Sequence, residues 1–275
     1  MPDSNSPLSP PRVALIGFGE AGEAFARAGD WAGHARGWDL LPERCAAMAA
    51  CGVEAGRDAA AALADAEVVL SLVTADAALD AARQYAPLLP ESALWCDMNS
   101  VAPETKREAA ASIERAGGRY VDVAVMAPVD KGLAVPLLLS GPDATTAQPL
   151  LAALGFSNER VVGDEVGRAS AIKMIRSVMV KGLEALSWEC AAAAEAAGVY
   201  DEITASLDAS EKPVGWAERF AYNRERMETH GLRRAAEMEE STRTLESLGV
   251  EPLMTRGTVQ RQRAAAKAKR KDQAA

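Results

Sequence analysis

Residues 12–39 read RVALIGFGEAGEAFARAGDWAGHARGWD, and they determine how the rest of the chain is interpreted. The stretch begins with a short apolar run at 12–17, which is typical of a buried strand. Glycines at positions 17, 19 and 22 then follow the spacing G-x-G-x-x-G, before an alanine-rich stretch of helical length. A second strand-like run ends at Asp39. This order of strand, glycine loop, helix, strand and acidic residue predicts a βαβ unit that opens a parallel sheet.

The glycine spacing alone is common in turns, so its meaning depends on that context. In a βαβ unit Gly17 permits the tight turn, Gly19 lets the backbone approach a pyrophosphate, and Gly22 lets the helix pack on the strand. The N–H groups at the helix start then attract phosphates. Asp39 would accept hydrogen bonds from an adenosine ribose and repel a 2′-phosphate, which favours NAD, although Arg44 leaves NADP open. The alternative for Asp39 is a solvated carboxylate at a strand end.

The strand and helix patterns keep alternating as far as residue 163. Strand-like runs recur at 35–39, 68–73, 94–97, 120–124 and 137–140, and alanine-rich helical stretches lie between them at 20–29, 42–51, 77–88 and 103–116. This alternation predicts an α/β Rossmann domain, a doubly wound parallel sheet with helices on both faces.

Beyond residue 163 the sequence predicts helices only. One long helix is expected over 165–197, with Gly198 as its C-cap, and shorter helices follow at 201–209, 214–229 and 231–248. The predicted domains are therefore a flexible leader (1–11), a dinucleotide-binding Rossmann domain (12–163), an all-helical substrate and dimerisation domain (164–255) and a basic tail (256–275).

Charge and composition limit the classes of partner. The 275 residues are 49% hydrophobic and carry a net charge of −9. The last twenty residues hold seven basic residues and one acidic residue, a net charge of +6, which leaves −15 for the remaining chain. An acidic body disfavours nucleic-acid binding. We expect no membrane span, no secretion signal and a cytoplasmic location. The four cysteines show no CxxC pair, so we expect no metal site.

The long helix carries the candidate acid–base residue. The chain has only two histidines, His34 and His230, far apart in sequence, so proton transfer is expected to fall to Lys, Tyr, Asp or Glu. Five polar residues lie on one face of the helix, and the simpler interpretation of them is a solvated polar stripe. In the functional interpretation Lys173 faces a nicotinamide in the cleft between the domains, partial burial lowers its pKa from about 10.4, and Ser177 contacts the same substrate. The five positions are Lys173, Arg176, Ser177, Lys181 and Glu184.

Four ordered segments carry a resemblance to a known family: GFGEAG at 17–22, DMNSVAP at 97–103, VDVAVMAP at 121–128 and VGRASAIKMIRS at 166–177. Over residues 12–250 the chain resembles the β-hydroxyacid dehydrogenases, which include 3-hydroxyisobutyrate and 6-phosphogluconate dehydrogenases. The resemblance implies that Lys173 is the acid–base catalyst and that the chain forms dimers or tetramers. It also implies cofactor contacts by Val73, Thr74 and Asn99, which join the glycine-loop candidates Gly17, Phe18, Gly19, Glu20, Ala21 and Gly22 and the acidic residue Asp39.

The chain departs from that family where the substrate is held. Family members often carry Asp-x-Pro-Val-Ser-Gly-Gly, whose serine and glycines hold a carboxylate, whereas residues 122–128 read DVAVMAP. Where the family usually has an asparagine, this chain has Ser177, and where it has a Lys-Asp pair, this chain has Ala236-Glu237. The positive charge that a carboxylate or phosphate substrate needs would then come from Arg176 or from the arginines at 233–234. We therefore expect a bulkier or less polar substrate than the small hydroxy acids. The predicted substrate-binding residues are Ser100, Met126, Ala127 and Ser177.

The leading prediction is an NAD(P)-dependent dehydrogenase that moves a hydride between nicotinamide and the hydroxyl-bearing carbon of a hydroxy acid or related alcohol. One alternative is an imine reductase of similar fold, although the acid of that group is commonly Asp or Tyr where this chain has Lys173. Another alternative is a non-catalytic dinucleotide-binding sensor or scaffold. The basic tail is either a nucleic-acid arm or, more simply, a frayed terminal helix that aids solubility or contacts a partner subunit.

Overall fold

The computed structural model describes residues 10–211 and 213–272, without the side chains at 237, 240 and 267–272. The chain divides after Arg176 into two compact units. The predicted leader lies mostly outside the described residues, since its first nine positions are not among them. Each unit is described separately below.

The first unit is built on an eight-stranded sheet with the order β3-β2-β1-β4-β5-β6-β7-β8. Its strands are β1 (Val13–Ile16), β2 (Ala35–Trp38), β3 (Glu54–Ala55), β4 (Val68–Ser71), β5 (Leu94–Asp97), β6 (Arg119–Val125), β7 (Leu137–Ser140) and β8 (Glu159–Gly163). Its helices are α1 (Glu20–Gly29), α2 (Arg44–Ala50), α3 (Ala59–Leu63), α4 (Ala78–Tyr85), α5 (Pro103–Arg115), α6 (Ala144–Ala153) and the start of α7 (Arg168–Ala197).

The strands β1, β4 and β5 are buried along their whole length, because helices cover both faces of the sheet. This explains why they read as continuous apolar runs rather than as alternating patterns. The strand order reverses between β1 and β4, and in an open α/β sheet such a reversal creates a crevice at the carboxyl ends of the strands. The predicted doubly wound Rossmann sheet is confirmed.

Two features of the sheet differ from the prediction. Strand β7 runs antiparallel to β6, so the sheet is mostly rather than wholly parallel. The connection between them holds only a short 3-10 segment (Val129–Ala134), and a parallel return needs a longer crossover. The strands β3 and β8 were also not predicted: β3 has two residues, and β8 is a partly exposed edge without a continuous buried run.

The second unit contains the rest of α7 together with α8 (Tyr200–Ser210), α9 (Trp216–Ser247) and α10 (Leu253–Asp272). The prediction of two helices at 214–229 and 231–248 is wrong, since α9 continues through Gly231. This glycine marks a close helix contact and not a break. A Cβ at position 231 would lie 2.4 Å from the carbonyl oxygen of Gln262 on α10, so only glycine lets the two backbones approach so closely.

Helix α10 includes most of the predicted basic tail, and residues 273–275 lie outside the described part of the chain. One face of α10 is buried through Thr255, Val259, Gln262 and Ala266, at the spacing of a helical stripe. Its arginines also pair with acidic residues of α9, Arg256 with Glu246 and Arg263 with Glu239. Residues 256–266 are therefore part of a packed helix.

A buried carboxylate on α7 caps the start of α10. Glu189 accepts hydrogen bonds from the N–H groups of Met254 and Thr255 at 2.8 and 2.9 Å, and from the Thr255 hydroxyl. Burial alone would raise the pKa of Glu189, but these hydrogen bonds outweigh burial and hold the pKa below its usual value. The carboxylate satisfies N–H groups that a helix start otherwise leaves unpaired.

Within the described ranges, none of the helices combines the length and the apolar character that crossing a lipid bilayer would require.

Candidate functional site

The three loop glycines have separate structural reasons. Gly17 has a φ of +88°, and a Cβ there would lie 2.8 Å from the backbone of Leu72. A Cβ at Gly22 would lie 3.0 Å from the carbonyl oxygen of Gly17. At Gly19, by contrast, a Cβ would meet nothing within 4 Å, and no side chain caps the start of α1. Gly19 therefore borders open space beside the N–H groups at the start of α1, an arrangement that could hold a phosphate group.

Asp39 fixes the end of β2 to the glycine loop. Its Oδ2 accepts a hydrogen bond from the Phe18 N–H at 2.6 Å, and its Oδ1 accepts one from the Leu41 N–H at 2.9 Å. A carboxylate oxygen has room for more than one donor, so both oxygens can still accept ribose hydroxyls. Phe18 contributes its backbone here, because its side chain is fully buried in the core.

A cavity of about 630 Å³ opens beside this loop and is lined by Gly17, Gly19 and Asp39 together with Val73 and Thr74 from the end of β4. Hydrogen bonding by the Thr74 hydroxyl holds the pKa of the exposed Asp76 below its usual value. The cavity carries more negative than positive charge. Its charged lining residues, within the described part of the chain, are Asp39, Asp76, Asp80 and Arg44.

A second cavity, of about 500 Å³, brings together predicted residues from five distant parts of the sequence. The half-buried Lys173 of α7 donates a hydrogen bond to the hydroxyl of Ser100 at 2.5 Å. Leu72 and Val73 line both cavities, so the two adjoin each other. The predicted residues that line the second cavity are Glu20, Ala21, Val73, Asn99, Ser100, Ala127 and Lys173.

Beyond Ala127, the wall supplied by the end of β6 and the loop after it is apolar. Val125, Pro128 and Val129 line it, at the place where the resembled family carries its serine and glycines. Pro128 has no N–H group to donate to an anion. Of the lining residues in the described chain, Lys173 alone is positively charged and Glu20 alone is negatively charged.

Two predicted substrate-binding residues lie elsewhere. Met126 packs against Ala124, Leu138 and Ala169, whereas its neighbours Val125 and Ala127 line the cavity. Successive side chains of extended backbone point to opposite faces, which explains the separation. Ser177 lies one turn after Lys173 on α7, at the first position of the second unit.

The turn that carries Asn99 is held by a residue to which the sequence analysis gave no role. The Oδ1 of the buried Asp97 accepts hydrogen bonds from the Asn99 backbone N–H at 3.0 Å and from its Nδ2 at 2.8 Å. The Nδ2 group also donates to the hydroxyl of Ser71. Tyr120 donates to the other oxygen of Asp97, and burial, together with the charge of Asp97, raises the pKa of Tyr120.

Lys106 is the second residue that the sequence analysis missed. Its side chain is fully buried, and its ammonium lies 2.6 Å from the carbonyl oxygen of Asp97 and 2.9 Å from Oδ1 of Asp97. The Oδ1 of Asp122 lies 3.5 Å away. A signal was present in the sequence, because Lys106 shares a helical stripe with the buried Ala110 and Ile113 of α5. A lysine on the apolar stripe of a helix needs a buried partner.

Comparison with known families divides the chain in two. Residues 12–163, more than half of its length, match the family described as the NAD binding domain of 6-phosphogluconate dehydrogenase. Residues 194–265 match a domain of unknown function, DUF1932. The chain also spans about half the length of a curated relative: an uncharacterized 28.5 kDa protein of Methanothermus fervidus is 31% identical over 53% of this chain and 55% of its own.

Solved structures resemble almost the whole chain. A conserved hypothetical protein from Sinorhizobium meliloti is 39% identical, with a TM-score of 0.61 over 93% of this chain and 88% of its own. A conserved protein of unknown function, described as structurally similar to 3-hydroxyacid dehydrogenases, is 30% identical, with a TM-score of 0.62 over 94% and 97%. An imine reductase from Myxococcus stipitatus in complex with NADP+ reaches a TM-score of 0.77 over 94% and 95%, but at 20% identity it shows the fold alone.

The glycine loop, Asp39 and the strand order on one side, and the match over 12–163 on the other, lead to the same assignment. This chain is a divergent member of the 6-phosphogluconate dehydrogenase-like family, with an NAD-binding Rossmann domain followed by an all-helical domain.

Proposed function

We propose that this protein is an NAD(P)-dependent oxidoreductase that transfers a hydride between nicotinamide and the hydroxyl-bearing carbon of a hydroxy acid or related alcohol. The observation that carries the proposal is the second cavity, which Lys173, Ser100 and Asn99 all line and in which Lys173 donates a hydrogen bond to Ser100. That cavity adjoins the glycine loop through Leu72 and Val73. A proton donor beside a dinucleotide site is the minimum that such a reaction needs.

NAD is the proposed cofactor, and the described residues fit it. The start of α1 and the open space at Gly19 would hold the pyrophosphate, while Asp39 would hold the adenosine ribose. The acidic first cavity, with Asp39, Asp76 and Asp80, supports NAD because a 2′-phosphate would add negative charge beside carboxylates. When bound, nicotinamide supplies or accepts the hydride.

Lys173 is the proposed general acid and base. During carbonyl reduction its ammonium would donate a proton to the substrate oxygen, and during alcohol oxidation its neutral amine would take that proton. Ser100 accepts a hydrogen bond from Lys173, so its hydroxyl would keep the amine aimed at one point of the cavity. Asn99 is held by Asp97 and Ser71, which supports a fixed position for the polar wall.

The proposed substrate is less polar than the hydroxy acids of the resembled family. The wall formed by Val125, Ala127, Pro128 and Val129 offers no charged group to a carboxylate. Among the described lining residues Lys173 alone is positively charged. If the substrate were a dianion, Lys173 would therefore have to anchor it as well as donate the proton. An alcohol or carbonyl compound with an apolar body and at most one acidic group suits this cavity.

The proposal is tested by following NADH and NADPH absorbance with hydroxy acids, alcohols, their carbonyl forms and a cyclic imine, using wild type and Lys173→Ala. Turnover of an alcohol or carbonyl compound that Lys173→Ala abolishes is the expected result. Turnover of the cyclic imine alone would replace the proposal by the imine reductase alternative. Tight NADH binding without turnover across the panel would favour the sensor or scaffold.

We also propose that the protein is a cytoplasmic homo-oligomer formed through its second unit. Large apolar side chains there are exposed, among them Trp188 at 72%, Leu207 at 58% and Phe220 at 50%. Exposed apolar surface on this scale is typical of a protein interface. Light scattering after gel filtration would test this, and a monomer at micromolar concentration would contradict it.

The ion pairs between α10 and α9 support a packing role for the predicted basic tail rather than a nucleic-acid arm.

A further inference from the structure

Four polar residues form one row across the centre of the sheet. Ser71, Asp97, Asp122 and Ser140 are register partners on the neighbouring strands β4, β5, β6 and β7. All four are buried, with exposures of 1% or less. Buried carboxylates on adjacent strands repel each other unless a positive charge lies between them, so this row needs a specific partner.

Lys106 of α5 supplies that charge. Its ammonium contacts Asp97 at 2.9 Å and Asp122 at 3.5 Å, and we call these three residues the buried ion network. Removing one member of such a network leaves a buried charge without a partner, which is strongly unfavourable. The three side chains therefore hold one another in a fixed arrangement.

On one side, the network holds the first turn of α7. The Oδ2 of Asp122 accepts hydrogen bonds from the N–H groups of Gly167 and Ser170 at 3.2 and 2.9 Å. Ser140 donates to the same oxygen and accepts from the N–H of Ala169. Strand side chains thus cap the helix start, and the negative charge of Asp122 suits the positive end of the helix dipole. Lys173 follows within one turn.

On the other side, the network holds the turn with Asn99 and Ser100. Asp97 accepts hydrogen bonds from the backbone and the side chain of Asn99, and Ser100 is the next residue. The carbonyl oxygen of Asp97 accepts a further hydrogen bond from Lys106 at 2.6 Å. The buried ion network therefore connects the two segments that meet at the hydrogen bond between Lys173 and Ser100.

We propose that Lys106, Asp97 and Asp122 are positioning residues, and that Lys106 sets the placement of Lys173 against Ser100 and Asn99. None of the three lines the second cavity among its described residues, so they act through the groups that they hold. This inference rests on the proposed function, because it treats Lys173 as the proton donor.

The test is the full-length Lys106→Met variant, which keeps most of the side-chain length and removes the charge. Hydrogen exchange is measured over residues 97–102 and 166–172, together with the NADH Kd and the pH at which Lys173 becomes half-reactive toward acetic anhydride. We expect faster exchange in both segments and a changed half-reaction pH for Lys173, and the NADH Kd reports whether the loosened Asn99 turn also weakens cofactor binding. With a substrate, turnover should fall about 100-fold, the size of effect that a small misplacement of a catalytic group produces.

The matched control is Lys181→Met, which removes an exposed lysine from the same helix as Lys173 and should leave every readout at its wild-type value. The exposed Lys131 serves as the labelling reference in each sample. A folded Lys106→Met protein with wild-type exchange and wild-type Lys173 reactivity would overturn the proposal. Faster exchange spread evenly over the whole first unit would also overturn it, because Lys106 would then contribute stability alone.

A second variant covers the case in which Lys106→Met does not fold. The double variant Lys106→Met with Asp122→Asn removes one buried charge of each sign, so we expect it to fold and to show the same local changes. Wild-type behaviour of the double variant would overturn the proposal. Hydrogen exchange and labelling need no substrate, so they test the buried ion network even if the wild-type protein turns over none of the compounds tried. An absence of turnover would count against the proposed function only.

Discussion

Lys173 on α7 and Ser100 in the turn after β5 are joined by a hydrogen bond although 73 positions separate them in sequence. The lysine donates and the serine hydroxyl accepts. Both residues line the cavity that adjoins the glycine loop. This contact links the predicted acid–base residue to the segment expected beside the nicotinamide.

Ser100→Ala should lower turnover by roughly tenfold or more while leaving NADH affinity unchanged. A hydrogen bond to a charged group contributes about 1.5–3 kcal/mol, and without it the ammonium of Lys173 is free to move. Steady-state kinetics beside fluorescence titration of NADH would check this. Ser112→Ala is a suitable control, because the Ser112 hydroxyl donates to the carbonyl oxygen of Glu108 and accepts from Arg115, both on its own helix α5. Unchanged turnover in Ser100→Ala would mean that this hydrogen bond has no catalytic role.

Gly19→Ala should weaken NADH binding without loss of stability, whereas Gly17→Ala should lose stability. A Cβ at Gly19 meets nothing within 4 Å, so the variant should keep wild-type stability but lose NADH affinity, because the new methyl group enters the space assigned to the pyrophosphate. Gly17→Ala should unfold at lower temperature, since its φ is +88° and its Cβ would contact the backbone of Leu72. Calorimetry and NADH titration separate the two effects. Wild-type NADH affinity in Gly19→Ala would move the phosphate site elsewhere.

Asp39→Asn should reduce the preference for NADH over NADPH. The amide can still accept the hydrogen bond from the Phe18 N–H, but the charge that repels a 2′-phosphate is gone. We expect the ratio of the two Kd values to change by about tenfold, or about 1.4 kcal/mol. Asp80→Asn, in the same cavity, is the control: it measures how much of the change in the Kd ratio comes from the overall negative charge of the cavity. An equal ratio in wild type and Asp39→Asn would exclude Asp39 as the discriminating residue.

The cap at Glu189 predicts an acid-dependent loss of stability in the second unit. The pKa of Glu189 lies below its ordinary value of 4.5 in the folded chain, so the stabilisation is complete above pH 4.5 and is lost as the pH falls through the folded pKa. Glu189→Gln should therefore lower the Tm at neutral pH, by an amount that corresponds to about 1.5–3 kcal/mol. The difference from wild type should shrink below pH 4.5.

The control for this prediction is Glu195→Gln, which changes an exposed carboxylate on the same helix. Its Tm should follow that of wild type at every pH. A Tm difference between wild type and Glu189→Gln that stays constant from pH 7 to pH 3 would show that the charge of Glu189 does not stabilise the helix start.

The parts of the fold that local patterns encode could be predicted from the sequence. Residues 12–39 contain the first two strands, the glycine spacing and Asp39. The tight turn between strand and helix requires this local pattern, so a short stretch of sequence is enough to recognise it. The long helix was predicted because residues 168–197 include no proline and one glycine, Gly182. The continuity of α9 could not be predicted, because Gly231 has its role only through the approach of Gln262 from α10.

The site was predictable where a motif marks it and not where tertiary contacts build it. Lys173 and Ser100 lie in segments that resemble a family, whereas Lys106 depends on Asp97 and Asp122, which the sheet register brings together. The placement of Met126 depends on strand alternation, which puts its side chain on the opposite face from Val125 and Ala127. Register and burial are properties of the folded chain that no short stretch specifies.

The most direct test of the central claim is a paired measurement on wild type and Lys173→Ala: the Kd for NADH, and the rate of NADH oxidation with the best carbonyl substrate found. Removing a general acid typically costs about 10²–10⁴-fold in rate. We predict a loss of that size with an unchanged Kd. Turnover that survives in Lys173→Ala at the wild-type rate, with the same Kd, would contradict the assignment of Lys173 as the proton donor.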